Sequence, residues 1–145
     1  MPSPEPIRPL LVAPYGEYGG SEMVMMRLLD EFDDQIQMQA LLLGGGRFAE
    51  ALRAEGIPTE VEDLPGKKGL LRFPGALVRA RRHFRDTGVS LIHANGTKAV
   101  MFAIPLARML GVPVLWMKHD HFWDGLPSKV LARFCARLVC VSEAM

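Results

Sequence analysis

Six short apolar runs alternate with five stretches of helical periodicity along this chain. The first run, Ile7 to Pro14, gives way to a Gly- and Tyr-rich loop and then to Val24, Leu28, Leu29 and Phe32 at turn spacing, a strand, loop and helix. Met38 to Leu43 is a second strand. It ends in Gly44-Gly45-Gly46 and leads to a short helix through Phe48, Ala51 and Leu52, stopped by Gly56 and Pro58. Thr59 to Leu64 alternates as a third strand. After the breaker-rich Pro65-Gly66-Lys67-Lys68-Gly69, the spacing predicts a helix from about Pro74 to Thr87 with Leu77, Ala80 and Phe84 on one side. Ser90 to Ala94, Val112 to Lys118 and Leu138 to Val141 complete the strands. Thr97 to Leu110 and Pro127 to Arg137 complete the helices, and Pro105 should kink the first of these.

Continuous apolar strands separated by helices indicate a parallel sheet covered on both faces. The fold class predicted is therefore α/β, a doubly wound, Rossmann-like parallel sheet. The 145 residues, 49% hydrophobic, suffice for one core and not two, so residues 1–145 are expected to form a single domain. The segment MPSPEPIRPL lacks the basic start and apolar run of a secretory signal, which predicts a cytoplasmic protein. The longest apolar stretch, Ala99 to Leu110, contains Pro105 and Arg108 and is far shorter than the roughly 20 residues that span a bilayer. Cys135 and Cys140 are expected to be reduced core residues.

Charge changes the picture more. Residues 1–64 carry 4 Lys/Arg against 12 Asp/Glu, and residues 65–145 carry 13 against 4. That polarity either reflects solvated helix faces or orients the domain on an anionic partner or membrane. No nucleic-acid partner is expected.

In a doubly wound sheet, ligands bind beyond the carboxyl ends of the strands. The segments there are Tyr15 to Glu22, Gly44 to Arg47, His93 to Lys98, His119 to Asp124, and Ser142 with Glu143. The first loop could bring backbone N–H groups to a phosphate at a helix start, or be a tight turn capped by Ser21 or a neighbour. G-x-G-x-x-G is absent and no acidic residue follows the second strand, which disfavours a dinucleotide. G-x-x-x-x-G-K-[ST] is absent too. Asn95 or Thr97 could cap the following helix. His119 and His121 could ligate a metal only with a third ligand that the spacing does not supply, so no metal site is assigned.

Taken in order, LLVAPYGEYGGSE, SLIHANGTKAV, GVPVLWMKHD and RLVCVSEAM resemble the amino-terminal domain of the retaining GT-B glycosyltransferases of family four. The resemblance implies the amino-terminal, acceptor-side half of a GT-B fold, moving a sugar from a nucleotide-sugar donor to a hydroxyl acceptor with retention. No cofactor is required beyond the donor itself. By that similarity Gly19 and Gly20 approach the donor diphosphate, and His119 is the catalytic-site histidine that positions the transferred sugar. Tyr15, His93, Asn95, Thr97, Lys98, Asp120, Ser142 and Glu143 line the acceptor side of the cleft. Asn95 departs from the family's H-A-H-G pattern.

The family's second, donor-binding domain is not in this sequence, so the chain alone is expected to be inactive. It would pair with a carboxyl-terminal half or associate with itself. Relatives acting on lipid-linked acceptors suggest peripheral contact with the inner membrane face through Arg79, Arg82 and Arg85, a helix with Leu77 and Phe84 on its other face lying against anionic lipid; the alternative, which the sequence favours, is that the apolar face packs on the sheet and the arginines are solvated. The alternative from another class is a non-catalytic, Rossmann-like binding or partner-interaction module. A response-regulator-like domain fails because no acidic cluster follows the first strand.

Overall fold

A computed structural model describes residues 5–32, 34–120 and 124–140. Its elements run β1 (Pro9–Ala13), α1 (Gly20–Glu31), β2 (Gln39–Leu42), α2 (Arg47–Ala54), β3 (Thr59–Val61), α3 (Gly66–Phe84), β4 (Leu91–Asn95), α4 (Thr97–Leu110), β5 (Val114–Lys118), α5 (Leu126–Ala132) and β6 (Arg137–Cys140). All strand pairings are parallel, in the order β3-β2-β1-β4-β5-β6. The order reverses between β1 and β4, where Leu11 lies opposite Ala40 on one side and His93 on the other. The carboxyl ends of those two strands form the switch point at which such sheets open a crevice.

The central strands are buried on both faces because helices cover both, which is why β1 reads Pro-Leu-Leu-Val-Ala without polar alternation. Leu10, Val12, Ile92, Ala94 and Trp116 pack with Phe84 of α3 and Phe102 of α4. Leu11, Ala13, Ala40 and Leu42 pack with Met25 of α1 and Phe48 of α2. Trp116, Phe48, Phe84 and Phe102 are all fully buried. Removing such a side chain from water contributes roughly 1.5–3 kcal/mol. Phe102 also meets Phe73 edge to face at 5.2 Å.

Three sequence expectations need correction. In α1 the buried apolar residue is Met25, while Val24 is half exposed, because Met25, Leu29 and Phe32 share the inward stripe. Helix α3 starts at Gly66, eight residues before the expected Pro74. Its first turn folds because Gly69 crosses Leu64 so closely that a Cβ would sit 2.5 Å from the Leu64 carbonyl oxygen. Pro74 is tolerated mid-helix because it and Leu70, whose carbonyl it leaves unbonded, are both exposed to water. Helix α5 stops at Ala132, and β6 begins at Arg137, one residue before the expected Leu138. Both Leu138 and Val139 are 42% exposed at this outer edge.

The apolar face of α3, for which the sequence offered the sheet or lipid, packs on the sheet as part of the core. Phe84, Ala80 and Ala76 are buried and Leu77 packs beside them. Arg79 forms a two-pronged hydrogen-bonded pair with Glu62 at 2.9 and 2.7 Å, and Arg85 pairs with Asp86. Among the described residues, no helix is long and apolar enough to cross a membrane.

The loops after β1 and β2 cross in backbone contact. A Cβ on Gly16 would lie 2.3 Å from the carbonyl carbon of Gly45, and the Gly16 carbonyl accepts the Phe48 N–H at 2.6 Å. Gly20 has nothing within 4 Å of its Cβ position. Gly16→Ala should therefore destabilise the domain by about 2–3 kcal/mol, whereas Gly20→Ala should leave stability unchanged or raise it by up to about 1 kcal/mol. Urea denaturation of the two variants checks this, and equal midpoints would show that the crossing does not constrain the fold.

Candidate functional site

Strand β5 alternates with Val114, Trp116 and Lys118 on its buried phase, so the lysine at its carboxyl end is forced inside. The Lys118 side chain is 3% exposed. Its ammonium donates to the Asp120 carbonyl and to the Asp124 carboxylate, and lies 3.9 Å from the Asp120 carboxylate. A buried ammonium needs such partners, since each lost one costs several kcal/mol. The loop after β5 is thereby pulled over the end of the sheet.

That loop caps α4. Gly96, at φ 95°, turns the chain from β4 into the helix, a conformation L side chains rarely adopt. Asp120 then accepts the Thr97 N–H at 3.0 Å on one carboxylate oxygen and the Thr97 hydroxyl at 2.7 Å on the other. The cap therefore comes from Asp120 of the next loop, and not from Asn95 or Thr97 as expected from the local sequence. Placing the cap across two strand ends locks the β5 loop to the β4 turn.

The lock leaves a polar corner. A Cβ on Gly96 would sit 3.3 Å from Nε2 of His119, so the imidazole lies directly over this glycine. Nε2 of His119, Nε2 of His93 and both amide atoms of Asn95 are buried and have no hydrogen-bond partner among the described residues. His93 and Asn95 project to the same face of β4. Unmade hydrogen bonds of this kind cost about 1–3 kcal/mol each, and native structures keep few of them. Burial lowers the His93 pKa from its ordinary 6.5 to about 4. The ring is therefore neutral at physiological pH and offers one donor and one acceptor.

A second part of the same sheet edge holds Tyr15 and Lys98. The Lys98 ammonium donates to the Tyr15 hydroxyl and stands 4.7 Å from the centre of its ring. Both flank a cleft of about 440 Å³ whose apolar wall includes Leu43, Leu64, Phe73 and Met101. A hollow of about 470 Å³ beside Phe32, Ile36 and Ile57 lies near the start of β2, at the edge opposite to where parallel sheets bind ligands.

At the start of α1, the Gly19 N–H donates to the Glu22 carboxylate at 3.0 Å, and Glu22 is buried. The anion at this helix start is thus the chain's own side chain, while the approach to Gly20 is open. Ser142 and Glu143, like His121, lie outside the described residues. The structure therefore groups His93, Asn95 and His119 in one corner and Tyr15 with Lys98 at the cleft, and uses Thr97 and Asp120 as the cap between β4 and β5. Among the described residues, no group of three His, Cys, Asp or Glu could hold a metal ion.

Sequence reasoning missed Lys118, although a lysine on the buried phase of an apolar strand was the available signal. It also missed the cleft wall, whose residues come from four separate segments.

A six-stranded parallel sheet reversing between β1 and β4 and covered by helices on both faces is a Rossmann-like domain, and it matches the amino-terminal half of GT-B glycosyltransferase structures. Over residues 18–145 the chain matches the model of Glycosyltransferase Family 4, and it belongs to that family. The structure is similar to that of Acinetobacter baumannii MurG, with a TM-score of 0.73 and 19% identity, covering 93% of this chain and 41% of that one. It is also similar to Anabaena Alr3699/HepE in complex with UDP and glucose, with a TM-score of 0.67 and 24% identity, covering 91% and 37%. The lipopolysaccharide outer core galactosyltransferase WaaB, in its apo form, gives a TM-score of 0.71 at 10% identity, covering 91% and 38%. This chain spans about two fifths of the length of each. No match was found among curated proteins.

The buried His93 generates a pH dependence. The unfolded chain takes up a proton on this residue near pH 6.5, whereas the folded chain does so only near pH 4. The unfolded state therefore binds more protons in that window, and stability falls as pH is lowered through it, by about 3 kcal/mol in all. Denaturation midpoints measured from pH 7 to pH 4 should fall less steeply in His93→Gln than in wild type. Parallel profiles would contradict the assignment.

Proposed function

We propose that this domain forms the acceptor side of a nucleotide-sugar glycosyltransferase that moves a sugar to a hydroxyl acceptor with retention at the anomeric carbon. The observation that carries this reading is the corner of His93, Asn95 and His119, where His93 Nε2, His119 Nε2 and the Asn95 amide are buried without a partner among the described residues, at the sheet edge where ligands bind. Membership of the glycosyltransferase family supports it, as do the complexes of the similar Anabaena protein with UDP and with UDP-glucose.

In this reading His119 is a positioning group. Its unpartnered Nε2 hydrogen-bonds a hydroxyl of the transferred sugar, and Asp120 and Lys118 hold the loop that carries it. The bond between the anomeric carbon and the diphosphate oxygen breaks while a bond to the acceptor oxygen forms on the same face. The acceptor's proton passes to the departing diphosphate. No metal or further cofactor is assigned to the step. Gly20 leaves room for the diphosphate to approach, and an anion bonding the Gly19 amide takes the place of the Glu22 carboxylate. Tyr15, Lys98 and the apolar cleft receive the acceptor. A second domain supplies the remaining contacts to the donor, so this chain alone does not turn over.

The test is sugar transfer from a pool of nucleotide sugars by this chain alone and by the chain joined to a donor-binding domain. Activity is expected only in the joined form, with kcat reduced about 100-fold or more in His119→Ala. Full activity in that variant would remove His119 from the reaction. Absence of transfer by the joined form would favour a non-catalytic module.

A further inference from the structure

We propose that this chain associates with itself head to tail, the outward face of α5 on one copy seating in the acidic hollow beside the start of β2 on another. Helix α5 packs on the sheet through Leu131, Ala132 and Cys135. Its other side carries Leu126 and Val130, followed in the next turn by Phe134. These recur every fourth residue and so form one stripe. They are 74%, 44% and 48% exposed. An apolar stripe left in water gains nothing from the fold of its own copy and gains free energy when a second surface covers it.

Charge selects the occupant. Lys129 and Arg133 flank the stripe, Arg108 stands 4.7 Å over the Phe134 ring, and Arg137 follows. Residues 125–140 contain no Asp or Glu, and among the described residues Lys129 and Arg133 form no ion pair. A partner for this face is therefore apolar and acidic. The same chain carries such a surface. The hollow of about 470 Å³ is walled by Leu29, Phe32, Ile36 and Ile57 and rimmed by Asp30, Asp34 and Glu55. All three acids are exposed, and among the described residues none forms an ion pair. Arg8, in the adjoining hollow, donates to Gln37 at 3.2 Å. A stripe ringed by cations thus has a matching hollow ringed by acids, and opposite potentials of this kind steer two copies together and fix their orientation. The segregation of acids into residues 1–64 and bases into residues 65–145 then has a physical use.

Helix α5 leads into β6 at one end of the sheet order, and the hollow lies by β2 toward the other. Two unlike surfaces make a heterologous contact, which leaves one of each free on every pair and continues past the dimer. The contact is small, so the association is weak and depends on concentration. The start of α3 is also apolar and basic, but it stands beside Glu62 and Asp63 and borders the cleft through Leu70. No residue of the α5 stripe or the acidic hollow lines that cleft or belongs to the polar corner, so the contact is independent of the transfer reading.

Sedimentation velocity over a concentration series is the test. The weight-average mass should rise past that of a dimer at low salt, and association should weaken about tenfold at about 0.5 M salt, where charges are screened within a few Å. Lys129→Glu/Arg133→Glu and Asp30→Lys/Asp34→Lys/Glu55→Lys should each lower the association constant by about tenfold or more. An equimolar mixture of the two variants should restore association, because each then carries the charge that the other's surface requires. All five residues are exposed, so these changes leave the core intact. Phe134→Ser should weaken association as well, whereas Leu70→Ser/Leu71→Ser should associate as wild type. A chain that stays monomeric at every concentration, or a mixture of the reversed variants that stays apart, would overturn the proposal. Loss of association only in the Leu70/Leu71 variant would overturn it in favour of α3, and association that survives both charge reversals would overturn it in favour of the open edge of β6.

Discussion

The candidate site depends on the burial of one charge. Lys118 occupies an inward position of β5, and the protein satisfies its ammonium with oxygens drawn from the following loop, the Asp120 carbonyl and the Asp124 carboxylate. An ammonium this deeply buried cannot go without oxygen partners, so the loop that supplies them is held in place. Because the same Asp120 caps α4 through Thr97, the lysine also fixes where β4 ends. His119, between these two tethered residues, is left over Gly96 with its Nε2 unbonded among the described residues.

This arrangement separates holding from binding. Side chains whose hydrogen bonds are made internally, Lys118, Asp120 and Thr97, set the geometry. Among the described residues, His93, Asn95 and His119 at the carboxyl edge are left with buried polar atoms that have no partner, and the proposed binding role rests on them. The cost of their unmade bonds is offset by the aromatic and aliphatic core under both faces of the sheet. The Gly16–Gly45 crossing performs a similar service on the other side of the switch point, bringing the β1 loop close enough to the β2 turn for Tyr15 to edge the cleft.

Much of this fold was legible because buried central strands such as β1 announce themselves as continuous apolar runs, and with β3 read from its alternation all six strands were found. Boundaries failed where tertiary contact overrode local propensity. Gly66 to Gly69 reads as a breaker, yet it is helical because Gly69 fits under Leu64. The helix face with Leu77 and Phe84 was recognised, but the sequence alone did not settle whether it met lipid or the sheet, and the sheet claims it. The candidate site segments at strand ends follow from topology, since ligands bind beyond the carboxyl ends of parallel strands. Their division of labour was not, because the Asp120 cap joins residues 23 positions apart, a pairing that no local spacing encodes.

The central claim is that Lys118 holds the β5 loop on the start of α4. Amide hydrogen exchange at Thr97, compared between wild type and Lys118→Met under native conditions, tests it directly. Slow exchange of this amide in wild type, accelerated at least tenfold in the variant while the amides of β1 stay protected, is the predicted result. Unchanged exchange at Thr97 in a folded Lys118→Met protein would contradict it, and would mean that the Asp120 cap stands without the buried lysine.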